Sequence, residues 1–154
     1  MEELALSNEE ALLGFTHKYK ITYADVAAIV GATTAGAIDL QSYVPGIAFR
    51  DAAYRLVTAF DGGATSALAF DLGYNGGTTD DPDGLLDNYE IHADATEVAY
   101  GLANGADFAT LKTGYVALDS GSLQATFTAT GANLSTLTAG EIEILVKRVD
   151  LRKF

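Results

Sequence analysis

The stretch TTDDPDGLLDNYE, residues 78–90, has the residue types and spacing that come nearest to a metal-binding motif in this sequence. Counted from Thr79, acidic residues stand at positions 3, 5 and 9, a glycine at position 6 and a glutamate at position 12. This is close to the EF-hand loop, whose carboxylate oxygens coordinate calcium. However, Thr79 replaces the aspartate expected at position 1, and Pro82 at position 4 removes a backbone N–H.

The residues that flank this stretch do not favour an EF-hand. An EF-hand needs a helix on each side of the loop, whereas the preceding ALAFDLGY alternates as a strand does. One remaining interpretation is a solvated turn at residues 81–84, because Asp, Pro and Gly all favour chain reversal. The other is a calcium site in a loop of a β-sandwich. Its candidate ligands are Asp80, Asp81, Asp83 and Asp87.

No other group of residues predicts catalysis or a cofactor. The chain has no cysteine and no tryptophan, and its two histidines, His17 and His92, both lie in strand-like segments where a packed or surface imidazole is the simpler interpretation. The glycine clusters lack the spacing of a phosphate-binding loop. Because no nucleophile, base and orienting group can be nominated together, we expect a protein that is not an enzyme.

The charge distribution disfavours nucleic acid and anionic membranes as partners. Twenty-one acidic residues against nine basic ones give a formal charge of −12, which repels phosphate groups. No lysine or arginine lies between Arg55 and Lys112, and four of the nine basic residues fall in the last eight positions. An acidic middle and a basic end suit docking between subunits, although a solubilising surface with a frayed tail explains the charges equally well.

The chain is predicted to form one domain preceded by a short extension. Residues 1–14 are expected to be an N-terminal arm or short helix, since Ser7 and Glu10 have the spacing of a capping box and Gly14 ends the segment. The sequence has neither a positively charged secretory start nor an apolar run long enough to span a membrane. Residues 15–154 are predicted to be a single β-sandwich domain with a basic C-terminal tail.

Short alternating segments predict an all-β fold. Apolar and polar residues alternate in FTHKYKITY, SLQATFTAT and EIEILVKRVDL, and turn residues separate them. Residues 47–60 are predicted to form a hairpin with SALAFDLGY, because Asp61-Gly62-Gly63 between them is a hairpin-turn signal. We count about seven or eight short strands and some short helical turns. This pattern predicts an antiparallel two-sheet sandwich of jelly-roll type.

Three segments of the chain resemble small virion structural proteins of tailed bacteriophages. They are HKYKITYADVAAIVGATT (17–34), VTAFDGGATSALAFDLGYNGG (57–77) and ATFTATGANLSTLTAGEIEILVKRVDL (125–151). The similarity is to a KYxITYADL strand and turn, a TAFxGGxTSxLxxxLGYxG hairpin and a terminal ATGxNLxxLTAGEIxIxxxVxDL pair of strands. It covers most of residues 15–151 through fold and turn motifs, and it carries over no catalytic residue.

The resemblance implies a non-enzymatic head decoration (cement) protein that binds the major capsid protein lattice and stabilises the head. It therefore implies a place on the capsid surface of the virion and, before assembly, in the host cytoplasm. Since decoration proteins at quasi-threefold positions are often trimers, it also implies a homotrimer with ring-closing contacts. Two alternatives stay open: another virion accessory part, such as a head fibre, knob, tail or receptor-contacting subunit, and a calcium-dependent carbohydrate-binding module.

In the decoration role, the two ends of the chain are expected to contact the shell. These ends, residues 1–14 and 147–154, are extensions that can cross subunit boundaries. The candidate partner-binding residues are Glu2, Glu3, Leu4, Leu6, Leu12, Leu13, Lys147, Arg148, Arg152, Lys153 and Phe154.

Overall fold

The computed structural model of the chain describes residues 1–29, 33–76, 80–93, 98–105, 115–117 and 119–154. Within these ranges the chain forms two antiparallel sheets packed as a sandwich, which confirms the predicted fold class. The strands are β1 (Glu2–Leu4), β2 (His17–Thr22), β3 (Ala35–Tyr43), β4 (Ile47–Asp61), β5 (Ala67–Asn75), β6 (Asp81–Glu90), β7 (Tyr100–Leu102), β8 (Tyr115–Val116), β9 (Gly121–Thr130) and β10 (Ala139–Asp150). The helices are α1 (Asn8–Leu12), α2 (Tyr23–Ala27) and the 3-10 helices Leu134–Thr136 and Leu151–Lys153.

The strand order is that of a jelly roll. Sheet A has the order β1-β2-β10-β4-β7, with β8 also paired to β4, and sheet B has the order β3-β9-β5-β6. Without the short β1 and β8, each sheet keeps four strands, and the chain changes sheet at every connection except the one from β5 to β6. A jelly roll consists of two Greek keys and has this arrangement of eight strands in two sheets.

The core lies between the two sheets and follows the predicted alternation. In β9 the inward residues are Leu123, Ala125, Phe127 and Ala129, and in β10 they are Ile142, Ile144 and Val146; all are buried. The ring of Phe127 packs 5.6 Å from Phe70 and 6.1 Å from Phe60, measured between centroids. Fully burying one such side chain contributes about 1.5–3 kcal/mol. No helix in the described ranges has the length and apolarity needed to cross a membrane.

The predicted hairpin between β4 and β5 is wrong. The two strands belong to different sheets, so Asp61-Gly62-Gly63 carries the chain across the sandwich instead of reversing it within one sheet. Gly62 and Gly63 have φ angles of 146° and 62°, which favour glycine. Thr138 donates its backbone N–H to the carbonyl of Asp61 at 2.8 Å, which fixes the crossover against the chain before β10.

The acidic stretch is a strand rather than a turn from Asp81 onwards. It forms β6 at the edge of sheet B, where its pairing with β5 has register shifts and Asn88 has a φ of 55°. Leu85 and Leu86 are fully buried, so burial of these two side chains accounts for the stretch joining the sandwich. The described ranges contain ten strands rather than seven or eight, since β1, β7 and β8 are too short to produce an alternating pattern.

Candidate partner-binding surface

The predicted N-terminal extension packs on sheet A. Strand β1 pairs antiparallel with β2, with Glu3 opposite Tyr19, and the amino group of Met1 forms an ion pair with the carboxylate of Asp25. Glu2 and Glu3 are exposed, whereas Leu4 and Leu6 are partly buried. Residues 2–4 therefore extend the sheet instead of projecting as an arm.

The predicted capping box is present at the start of helix α1. Ser7 Oγ accepts a 3.2 Å hydrogen bond from the backbone N–H of Glu10, and the Glu10 carboxylate accepts one of 2.7 Å from the N–H of Ser7. The helix has five residues and buries none of them. Because a helix this short is marginal on its own, its position depends on contacts outside it.

Lys18 supplies that contact by joining α1 to sheet A. Its Nζ lies 2.9 Å from Glu10 Oε1 and 3.1 Å from Glu143 Oε2, and Arg55 binds the same Glu143 carboxylate at 2.5 Å. Burial opposes ionisation of Glu10, but the hydrogen bonds from Ser7 and Lys18 outweigh it and lower its pKa. Burial likewise opposes the charge on Lys18, but the two carboxylates outweigh it and raise the pKa of its ammonium.

The far end of α1 presents apolar side chains to solvent. Leu12 is 86% exposed and Leu13 is 72% exposed. Beside them lies a shallow depression of about 440 Å³ lined by Asn8, Ala11 and Leu12. Two adjacent exposed leucines on a chain with a formal charge of −12 form an apolar spot of the kind that marks a contact site.

The C-terminal strand brings the second predicted segment beside the first. The β10 strand has a register shift against β4 between Lys147 and Arg148. Thr16 Oγ1 accepts a 2.8 Å hydrogen bond from the backbone N–H of Arg148. The side chain of Lys147 lies over Gly14, where a Cβ atom would be 2.9 Å from its Nζ. Segments 1–14 and 147–154 are thus neighbours at one end of sheet A.

A groove of about 500 Å³ opens at this end of sheet A, between the start of β2 and the C-terminal segment. Thr16 and His17 line one side, and residues 148–150 and 153–154 line the other. The ring of Phe154 is 95% exposed. Arg152 donates two 2.8 Å hydrogen bonds to the Asp150 carboxylate, and this pairing lowers the pKa of Asp150 to about 2.

His17 stands at the wall of the groove with neighbours at both ring nitrogens. Its Nδ1 is 2.8 Å from Thr16 Oγ1, and its Nε2 is 3.4 Å from Gln41 Nε2. Partial burial lowers the pKa of His17; the Glu3 carboxylate opposes that shift and the Arg148 guanidinium adds to it. The imidazole is therefore held toward its neutral form near Arg148.

The lysines and arginines of the described ranges fall into two groups, those with an ion-pair partner and those without one there. Eight of the nine lysines and arginines lie in the described ranges, and four of them form ion pairs. The four for which the described residues supply no ion-pair partner are Arg50, Lys147, Arg148 and Lys153. We call these four the basic end. The pairing of β10 with β4 places Lys147 opposite Asp51 and Arg148 opposite Phe49, so Arg50 lies beside them.

Sheet B has the opposite character. Its four strands contain acidic residues and no lysine or arginine. Burial raises the pKa of Asp71; the backbone N–H of Asn88 opposes the shift, and the carboxylates of Asp87 and Asp83 add to it. We call Asp71, Asp83 and Asp87 the acidic face.

The four candidate calcium ligands do not converge into a metal centre. In the described part of the chain, no group of three or more His, Asp or Glu side chains is placed to hold a metal ion. Asp81, Asp83 and Asp87 are spread along the length of an extended strand, which separates their carboxylates along the strand axis. Extended backbone does not wrap carboxylates around one point as a calcium loop does.

The sequence did not reveal three residues of this surface. Thr16 contacts Arg148 across 132 positions of sequence, and Arg50 joins the basic end through the register of β4 with β10. His17 was noticed only as a residue of an alternating strand. Knowledge of how β2, β10 and β4 pair would have predicted these three residues, whereas no local sequence motif predicts them.

Comparison with known proteins finds a likeness in structure but none in sequence family. No protein-family model matches the chain. No curated protein matches it. Among solved structures, it is similar to a chain of the "Acidic stable capsid structure of Helicobacter pylori bacteriophage KHP30", at 17% identity and a TM-score of 0.43. The likeness covers 86% of this chain and 98% of that one.

Proposed function

We propose that the chain is a non-enzymatic structural protein of a bacteriophage virion, acting as a decoration (cement) protein that binds the major capsid protein lattice. The observation that carries the proposal is the meeting of the two chain ends on one side of a jelly roll. There they expose Leu12, Leu13 and Phe154 beside cations without ion pairs among the described residues. The motif resemblance to small virion proteins of tailed phages supports the same role.

The apolar tip of α1 is the part that we assign to the shell. Leu12 and Leu13 are held out by a helix that buries none of its own residues. An exposed pair of leucines loses water-accessible area on docking, which contributes about 25 cal/mol per Å² before the costs of association. Glu2 and Glu3 on the adjoining strand provide a charged rim to this contact.

Stabilisation of the head would follow from mass action. A protein that binds the assembled shell and not its separated subunits shifts the equilibrium toward the intact particle. In this role the chain resides on the capsid surface and, before assembly, in the host cytoplasm. A homotrimer at quasi-threefold positions would place three α1 tips on the lattice at once and so increase avidity.

A calcium-dependent carbohydrate-binding module receives less support. That function was predicted on Asp80, Asp81, Asp83 and Asp87, and these residues do not form a metal-binding cluster in the described part of the chain. The alternative virion roles, as a fibre, knob, tail or receptor-contacting subunit, share the fold with the decoration role. The position of the protein on the particle distinguishes them.

Co-sedimentation with empty expanded shells tests the decoration role. Deleting residues 1–14 would also remove β1 and the Glu10 partner of Lys18, so point substitutions are preferable. The double variant Leu12→Ser/Leu13→Ser should bind about tenfold more weakly, a loss of about 1.4 kcal/mol. Leu102→Ser is the matched control, since Leu102 is also 72% exposed but lies on β7 at the other edge of sheet A. Equal binding by the two variants would show that α1 does not contact the shell.

A further inference from the structure

Among the described residues the four cations of the basic end have no ion-pair partner, although the chain has acidic residues in excess. Lys18, Lys20, Arg55 and Arg152 all lie within 4 Å of a carboxylate oxygen, whereas the described residues provide no such neighbour for Arg50, Lys147, Arg148 or Lys153. The chain has twenty-one acidic residues, so the position of each cation, and not a shortage of carboxylates, determines whether it is paired. The unpaired charges are all at the end of sheet A where the groove opens.

Arg148 adds an independent sign that the groove takes a ligand. Its Nε atom is buried and has no hydrogen-bond partner among the described residues. A buried donor without a partner is unfavourable, and buried polar groups are otherwise nearly always satisfied. Arg148 also lines the groove with Lys153 and the exposed ring of Phe154. A guanidinium and an ammonium beside an aromatic wall fit a carboxylate carried on a protein surface.

The acidic face supplies such carboxylates on the opposite sheet. Asp71, Asp83 and Asp87 have no ion-pair partner in the described ranges, and none of the four strands of sheet B carries a lysine or arginine. Burial is the main cause of the raised pKa of Asp71, and the neighbouring carboxylates of Asp87 and Asp83 raise it further. An approaching cation would relieve this repulsion, so the two surfaces are complementary in charge.

We propose that the groove of the basic end binds the acidic face of a second copy of this chain. The two surfaces lie on different sheets of one molecule, so the contact is heterologous, and a rotation that closes makes a finite ring. Arg148 and Lys153 of one copy meet Asp83 and Asp87 of the next. This contact involves the chain alone, so it forms in solution whether or not the shell is a partner.

Sedimentation velocity of the purified full chain tests this contact. The wild type should associate at about 0.1 M salt and dissociate at about 1 M, where the screening length falls from about 10 Å to about 3 Å. Reversing the groove with Arg148→Glu/Lys153→Glu, or the acidic face with Asp83→Lys/Asp87→Lys, should weaken association at least about tenfold. Asp39→Lys/Asp61→Lys is the control, because it changes the net charge by the same amount as the acidic-face variant at two exposed positions, one on β3 at the edge of sheet B opposite β6 and one at the end of β4 that pairs with Ala139.

Mixing the two reversed variants is the decisive step. Each alone presents surfaces of like charge, but in the mixture the reversed groove meets a reversed face and association should return. If Arg148→Glu/Lys153→Glu fails to fold, Lys147→Glu/Lys153→Glu replaces it and leaves the buried Nε of Arg148 in place. A monomeric wild type at low salt, an unchanged variant or a mixture that stays dissociated would each overturn the proposal.

Discussion

Lys18 donates a 2.9 Å hydrogen bond from Nζ to Oε1 of Glu10, and this bond joins α1 to strand β2. The helix buries no side chain of its own, so polar contacts rather than apolar burial set its position. Glu143 of β10 accepts from the same ammonium at 3.1 Å and extends the connection across sheet A. The leucines at the end of α1 consequently remain exposed to a partner.

Replacing Lys18 with methionine should lower the free energy of unfolding by about 1–3 kcal/mol. The change leaves the carboxylates of Glu10 and Glu143 near each other without the ammonium between them. Urea unfolding measures the loss. Lys20→Met is the control, since its carboxylate neighbours are 3.9 Å away. A loss as large for Lys20→Met would contradict a special role for Lys18.

The stability of the chain should fall in acid partly through Glu10. The folded-state pKa of Glu10 lies below its ordinary value of 4.5. Its stabilising contribution is therefore complete above that ordinary value and is lost as the pH falls through the lower folded pKa. The variant Glu10→Gln should be less stable at neutral pH but lose less stability on acidification. Urea unfolding at pH about 6 and pH about 3 measures how much free energy of unfolding each protein loses on acidification. Equal losses for the wild type and Glu10→Gln would contradict the assignment.

Replacing Asp71 with asparagine should stabilise the fold at neutral pH. The folded-state pKa of Asp71 lies above its ordinary value of 3.8, so its charged form is unfavourable in the folded chain. An asparagine oxygen can still accept the 2.6 Å hydrogen bond from the N–H of Asn88. The gain should be below about 1 kcal/mol and disappear below pH about 3.8, where both states bind the proton. Thermal unfolding across pH measures it; a loss of stability at pH 7 would refute this account.

Replacing Gly140 with alanine should destabilise the sandwich by about 2–4 kcal/mol. Gly140 has a φ of 135°, and a Cβ atom there would overlap the ring of Phe60. Phe60 is fully buried and packs against Phe127, so the ring cannot move without disturbing the core. Thermal unfolding compared with the neighbouring control Thr138→Ala gives the test. A change no larger than that of the control would show that the ring accommodates the methyl group.

The sequence predicted the class of fold because half-buried strands leave a local signal. The alternation of Leu123 to Ala129 and of Ile142 to Val146 identified two strands of ten or more residues. It did not distinguish a hairpin from a crossover at Asp61-Gly62-Gly63, because both use the same turn residues. The crossover is held by contacts with a segment distant in sequence, where Thr138 donates to the carbonyl of Asp61 and Gly140 lies against the ring of Phe60.

The candidate surface was predicted in part for the same reason. Arg148 and Lys153 were identified by their concentration at the end of the sequence, and the capping box of Ser7 and Glu10 was identified by its spacing. The groove itself was not predicted, because its wall comes from Thr16 and His17 across the β2–β10 pairing. The acidic stretch was predicted as a turn or a calcium-binding loop, because Asp, Pro and Gly favour chain reversal, whereas it forms a strand with Leu85 and Leu86 buried.

Electron cryomicroscopy of particles that contain the chain tests its proposed role most directly. We predict density for a two-sheet jelly roll on the outer surface of the head, with Leu12 and Leu13 of α1 against the major capsid protein. Density confined to the tail or a fibre would contradict the decoration role. A jelly roll on the head that meets the lattice through another face would contradict the assigned contact.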